Sequence, residues 1–408
     1  MGLNREAHAQ VGEAPDVVVV HTLEEPPDEW RAAVFLAGPT ARDAAVASWR
    51  PAAIERLRRR WEGDGRLVVF VPEHRHGDYG DYPGQVEWEE RCLHLADVVL
   101  FYVPRDLTTL PAFTTNVEWG MWYDSGRVVF GAPPEAPGNR YLLHHAAKRE
   151  VPTATTLGGT VRAALAAVGT GVRRAGGERE VPLLIWRTES FQRWYAAQRA
   201  AGNTLRGARL LWTFSPESVR GPVFYWALHV RVHVTAEDRI KSNEVVISRP
   251  DISAVALYRS APRLDDTTVV LVREYRSPAS GPDGFVHELP GGAGKGDPLT
   301  CAVAEVVEET GLVLDPARLR AHGSRQLAAT MSAHHAHLFS AEITEAELAR
   351  LRAGLVHGKV YGNTAESERT FPEITTFGRI RAGRLVDWAT LGMLTEALMP
   401  ATREPTGE

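Results

Sequence analysis

The sequence predicts two domains of different class, an α/β domain built on a parallel sheet followed by an α+β domain. Three observations lead there. The 408 residues exceed the needs of one ordinary domain. From about residue 32 to 168, short apolar runs alternate with stretches long enough for crossover helices, the pattern of a parallel sheet covered on both faces. Beyond residue 181, strand-like segments follow one another closely and helices become few.

In chain order, AVFLAG (33–38), LVVFVP (67–72), DVVLFYVP (97–104) and VVFGAP (128–133) are the strands of the first domain. Ligands of open parallel sheets sit beyond the carboxyl ends of the strands, which directs attention to Gly38-Pro39-Thr40 and to the loops after Pro72 and Pro104. In GTGVRRAGGERE, residues 169–180, glycine and charge replace apolar periodicity, the signature of a linker. The expected division is a first domain over 1–172, a linker over 173–180 and a second domain over 181–408. In the second, a helix at 191–201 precedes strands in RLLWTF, VFYWALHVRVHV, ISAVALYR, TTVVLVREYR and HAHLFSAEI. A helix at 298–310 interrupts them, and another closes the chain near 387–399.

Composition narrows the function classes. With 44% apolar and 24% charged residues the chain is globular, not disordered. Its net charge of −5, without long blocks of one sign, argues against nucleic acid and against an anionic membrane surface as partners. Small molecules are the expected ligands. Cys92 and Cys301 are too few for a disulfide framework or a cysteine zinc site, and the first residues lack the apolar stretch of a signal peptide. A cytoplasmic protein is expected. None of His74, His76, His334, His335 and His337 has a ligand set around it in sequence.

ELPGGAGKGDPLTCAVAEVVEETGLVL, residues 288–314, holds a sharply bounded helix: Asp297 suits the N-cap, Pro298 the first turn and Gly311 a left-handed stop. Leu299, Ala302, Val303 and Val306 form its apolar stripe, while Glu305, Glu308 and Glu309 share another face. Such a trio either faces solvent or suits a hard divalent cation. The segment GGAGKGD is no phosphate-binding Walker loop, because Asp297 stands where Ser or Thr should follow Gly-Lys. AEVVEETGL resembles the end of the Nudix hydrolase box. Ala304 replaces the usual Arg, Gly296 the earlier Glu, and the glycine loop is one residue short. The resemblance implies a Nudix fold and Mg2+ held by Glu305, Glu308 and Glu309. VVLVREYRSP before GFVHELPGG resembles the ADP-ribose pyrophosphatase branch, implying substrate contacts from Arg273, Arg276 and Glu288, with Glu366 or Glu368 as a base.

In the first domain, Gly38-Pro39 turns the chain at the end of a strand, Gln85 and Glu89 lie four apart on a helix, and Asp97 opens a buried strand. Glu118 falls in the first turn of a helix, where the dipole favours a carboxylate; the rival reading makes Thr115 and Glu118 a capping box. FLAGP, then Q..WE, then AD before an apolar strand, then T.N.EWG, resembles the nucleoside 2-deoxyribosyltransferase-like family. The resemblance implies a Rossmann/flavodoxin-like sheet and attack by Glu118 on the anomeric carbon. It further implies an acid or hydrogen-bonding role toward the base for Glu89, substrate contacts from Gly38, Pro39, Gln85, Asp97 and Asn116, and no cofactor. Phe35 departs from the usual polar aromatic residue and leaves deoxyribose or ribose open.

Together these features imply a bifunctional enzyme of nucleotide metabolism, cleaving or transferring an N-glycosidic bond through Glu118 and hydrolysing a nucleoside diphosphate derivative with Mg2+. Two other readings stay open: a Nudix portion that senses nucleotide without turnover, and release of nicotinamide from NAD followed by ADP-ribose cleavage. Both resembled families often assemble, so the resemblance allows a homo-oligomer, while the sequence itself does not fix the oligomeric state.

Overall fold

The computed structural model describes residues 16–41, 45–75, 81–215, 223–294, 296–363 and 368–399. They divide into two compact units, the first reaching Val246 and the second beginning at Ile247.

The first unit opens with β1 (Asp16–His21), β2 (Glu29–Trp30), β3 (Ala32–Ala37), α1 (Arg50–Arg60), β4 (Arg66–Val71), α2 (Tyr82–Leu95), β5 (Val98–Tyr102), α3 (Phe113–Trp122), β6 (Val128–Gly131), α4 (Arg140–Lys148), β7 (Thr153–Ala154) and α5 (Leu157–Val168). Its sheet has the order β1-β4-β3-β5-β6-β7 with every neighbouring pair parallel. Alternation sends Ala33, Phe35 and Ala37 toward Trp88, Trp119 and Trp122 of α2 and α3. Ala32, Val34 and Leu36 pack on the other face against Ala53, Leu57, Val161 and Ala164 of α1 and α5. Burial on both faces is why these strands read as unbroken apolar runs.

The unit continues with β8 (Arg174–Ala175), a 3-10 turn over Gly176–Glu180, α6 (Leu183–Trp186), α7 (Glu189–Ala200), β9 (Thr204–Phe214), β10 (Tyr225–Val234) and β11 (Arg239–Ser248). The last three strands form an antiparallel sheet, β11-β10-β9, whose Leu205, Trp226 and Leu228 pack on Ile185, Phe191 and Tyr195. The expected linker at 173–180 is therefore corrected. Trp30 of β2 pairs with Arg174 of β8, and the buried Arg174 guanidinium meets the Asp97 carboxylate at 2.5 Å. The composition of the segment suggested a tether; an ion pair at its start fixes it to the sheet. The boundary moves accordingly from residue 172 to 246.

The second unit contains β12 (Ile252–Arg259), β13 (Thr268–Glu274), β14 (Val286–Glu288), β15 (Gly291–Gly292), α8 (Pro298–Thr310), β16 (Arg320–Gln326), β17 (His335–Glu342), α9 (Glu345–Val356), β18 (Thr370–Thr376), α10 (Phe377–Gly383) and α11 (Trp388–Leu398). A mixed sheet runs β14-β13-β12-β17-β16, with β15 on β12 and β18 on β13. Val255 and Leu257 face Ala302 and Val306 of α8 and Leu348 of α9. Ala254 and Ala256 face Ile380 of α10 and Leu394 of α11. The signals at the ends of α8 act as the sequence indicates: the Asp297 carboxylate accepts from Thr300 N at 2.9 Å, and Gly311 adopts φ 71°. Among the described residues no helix is long and apolar enough to cross a membrane.

Candidate active site

β3 ends where its backbone nearly touches that of β5. A Cβ on Gly38 would lie 2.3 Å from the Tyr102 carbonyl oxygen, so only glycine fits. Arg50, the first residue of α1 and 1% exposed, clamps this turn. Its Nε donates to Leu36 O at 3.1 Å, Nη2 to Gly38 O at 2.7 Å and Nη1 to Thr40 Oγ1 at 3.1 Å. Glu73 completes the buried pair.

Above the turn, α2 and α3 wall a cavity of about 920 Å3 whose lining includes Gly38, Pro39, Arg50, Gln85, Glu89 and Glu118. Glu89 and Glu118, 29 positions apart in the sequence, thus line one cleft. Gln85 Nε2 donates to Glu89 Oε1 at 2.8 Å, the i,i+4 contact that their spacing indicates. Burial, then the neighbouring Glu89 charge, push Glu118 up to about 7, against the pull of Arg50. Burial also raises Glu89, opposed by the Gln85 hydrogen bond, Arg50 and His74. Such a pair holds a proton near neutrality and titrates as a unit.

Two expectations about this region are corrected, the turn that holds Glu118 and its capping box, and two expected substrate contacts lie away from the cleft lining. Helix α3 starts at Phe113 after a left-handed Ala112 (φ 61°) and has no side-chain cap. Glu118 therefore stands in the second turn, beyond the strongest dipole effect, and the Thr115 capping box is not formed. Asp97 stays out of the cleft lining. It lies before β5, at the opposite edge of the sheet from Gly38, and accepts from Ala33 N, Leu183 N and Arg174. Asn116 is also outside the lining; its Oδ1 accepts from Arg105 Nη2 at 2.6 Å.

Residues 31–136 match the family model described as nucleoside 2-deoxyribosyltransferase like. The chain carries a deoxyribosyltransferase-like domain. No curated protein matches the chain. The family match contains Gly38, Arg50, Glu89 and Glu118 but stops before β9, whose residues Arg209 to Thr213 complete the cleft wall of the deoxyribosyltransferase-like domain. Sequence reading missed Arg50 and this wall. SWRP at 48–51, a helix start beside the Gly-Pro turn, was the available signal for Arg50; β9 offered none beyond its strand pattern.

In the second unit, Glu309 turns inward and accepts from Gly291 N at 2.7 Å. Burial raises it to about 9, helped by Glu305, Glu288 and Glu274 and opposed by that hydrogen bond. Glu305 lies against Gly292, while Glu308 is exposed. Among the described residues no group of three His, Cys, Asp or Glu side chains is arranged to hold a metal ion. Of the three carboxyls expected to hold Mg2+, Glu309 thus accepts from the backbone, Glu305 is half-buried and Glu308 faces solvent. Arg276 stands among Glu274, Glu288 and Glu368 at 2.7, 4.0 and 3.8 Å. Arg273 stacks over Phe285 and Phe371. Burial lifts Glu288, and lifts Glu274 to about 7. Glu366 and His76 lie outside the described residues.

Proposed function

We propose that the first unit cleaves or transfers the N-glycosidic bond of a nucleoside or nucleotide. The supporting observation is the pairing of Glu118 and Glu89 on one cleft, each carboxyl raised by burial and Glu118 also by the charge of its neighbour. Breaking a glycosyl C–N bond develops positive charge on the sugar and negative charge on the base, so one carboxylate and one carboxylic acid are required. The singly protonated pair shares one proton between its members; in the form that carries it on Glu89, Glu118 attacks C1′ as the C1′–N bond breaks, and the Glu89 proton passes to the departing nitrogen. Water or a second base then releases the sugar from its ester with Glu118. Because Glu118 holds its proton up to about 7 in the free protein, the nucleophile is lost as pH falls below that value, and base release should fall with it. Chromatography of nucleosides and nucleotides incubated with the protein tests this. Equal base release by Glu118→Ala and wild type would refute it.

For the second unit we infer a Nudix-like fold that binds a nucleotide without hydrolysing it. The inward, backbone-bonded Glu309 favours this reading over the Mg2+-dependent one, as do Ala304 and Gly296 in the motif. Mg2+-dependent hydrolysis of ADP-ribose, abolished by Glu308→Gln, would refute it.

A further inference from the structure

The cleft runs on past its two carboxyls along α2 and α3. Five residues separate Glu89 from His94 on α2, about 7.5 Å along the helix axis, and at that distance the lining changes to Arg127, Arg209, His94 and Ser125. Arg127 lies just before β6 and is 4% exposed. Its guanidinium packs on Trp122, and Nη1 donates to the carbonyls of His94 and Ala96. Nε is buried without a hydrogen-bond partner, and Asp97, whose charge acts on this side chain, is already paired with Arg174. Asp124, an acid in the lining, is engaged by Arg149. A buried positive charge held by carbonyl dipoles and by an acid already shared with another cation is stabilised further by an anion that joins it.

A second cation stands beside it. Arg209 of β9 is 3.5 Å from Glu90, with both side chains more than half exposed, a weak pair that an incoming anion can displace. The joint field is registered by His94, which burial, Arg209 and Arg127 together pull down to about 4. It is therefore neutral at pH 7 and adds no charge of its own.

We propose that this end of the cleft binds the phosphate of the substrate through Arg127 and Arg209, making the substrate a nucleotide rather than a nucleoside. Guanidinium forks suit phosphate oxygens, and an anion there would meet the partly compensated charge of Arg127 while the sugar reaches the carboxyl pair. The inference deepens the glycosidic reading and rests on it for the identity of the ligand.

Equilibrium binding to the full chain carrying Glu118→Ala separates the two, because it needs no turnover. The probes are deoxynucleoside and ribonucleoside 5′-monophosphates, each beside its own nucleoside. The monophosphates should bind about tenfold tighter or better, as a charged hydrogen-bonded contact implies. That advantage should shrink as salt is raised and collapse when Arg209→Ala is added. Arg127→Lys, which keeps the buried charge but loses the fork, should reduce it in part. Equal affinity for nucleoside and nucleotide, or a phosphate preference that survives Arg209→Ala, overturns the proposal. A phosphate preference in a protein whose wild type releases no base leaves the anion site standing and removes the glycosidic reading; base release without the preference does the reverse.

Discussion

Replacing Glu118 by Gln should make the protein more stable while it abolishes base release, and the stabilisation should grow with pH. The carboxyl is raised from its ordinary 4.5 to about 7 in the folded protein. Below 4.5 it is protonated whether the chain is folded or not, so it contributes no difference. Between 4.5 and 7 the unfolded chain ionises first, and folding must take up a proton. Above 7 the folded protein carries a desolvated charge beside Glu89. Each pH unit between the two values corresponds to about 1.4 kcal/mol, so the wild type loses about 3 kcal/mol through this one group by pH 8. Glutamine keeps the shape and cannot ionise. Because a two-unit chain need not unfold in one step, the assay is hydrogen exchange of the β5 and β6 amides at pH 5 and pH 8, corrected for intrinsic rates. The variant should match the wild type most closely at pH 5 and exceed its protection at pH 8. A variant whose stability follows the wild-type pH dependence would refute the claim that this carboxyl is buried and destabilised.

Three further outcomes follow from the geometry. Asp97→Asn removes one member of a buried ion pair and should cost about 3–5 kcal/mol, seen in denaturant unfolding, while leaving the apparent pKa of base release in place. Gly38→Ala puts a methyl 2.3 Å from Tyr102 O; a backbone shift of that kind costs about 1–3 kcal/mol, and thermal unfolding should show it together with a loss of turnover. Glu309→Gln should stabilise the second unit increasingly between pH 4.5 and 9, because burial holds the native carboxyl protonated up to about 9; a destabilised variant would show that the group is ionised at pH 7.

Legibility in the sequence tracked how local the determinant was. Asp297, Pro298 and Gly311 bound α8 through contacts within one turn, and its limits were readable to the residue. The four apolar runs of the first sheet were readable because burial on both faces leaves no polar position. The two-residue β7 and the exposed β16 carry no such pattern, and β1, although written DVVVVH, lay before the stretch where alternation with helices begins. Within the candidate site, Gln85 and Glu89 declared their contact by spacing. The raised carboxyl of Glu118 did not, since it depends on a helix starting two residues before Thr115 and on a partner from another helix. Asp97 could be read both as a structural strand-entry residue and as a ligand contact, because its counter-ion, Arg174, lies 77 residues away.

That counter-ion bears on how the chain can be divided. A polypeptide ending at residue 172 would contain every carboxyl of the proposed glycosidic centre yet lack the cation that neutralises Asp97 and the strand that walls the cleft. Such a fragment should be recovered poorly folded, whereas one ending at 248, the last residue of β11, keeps both and should fold better.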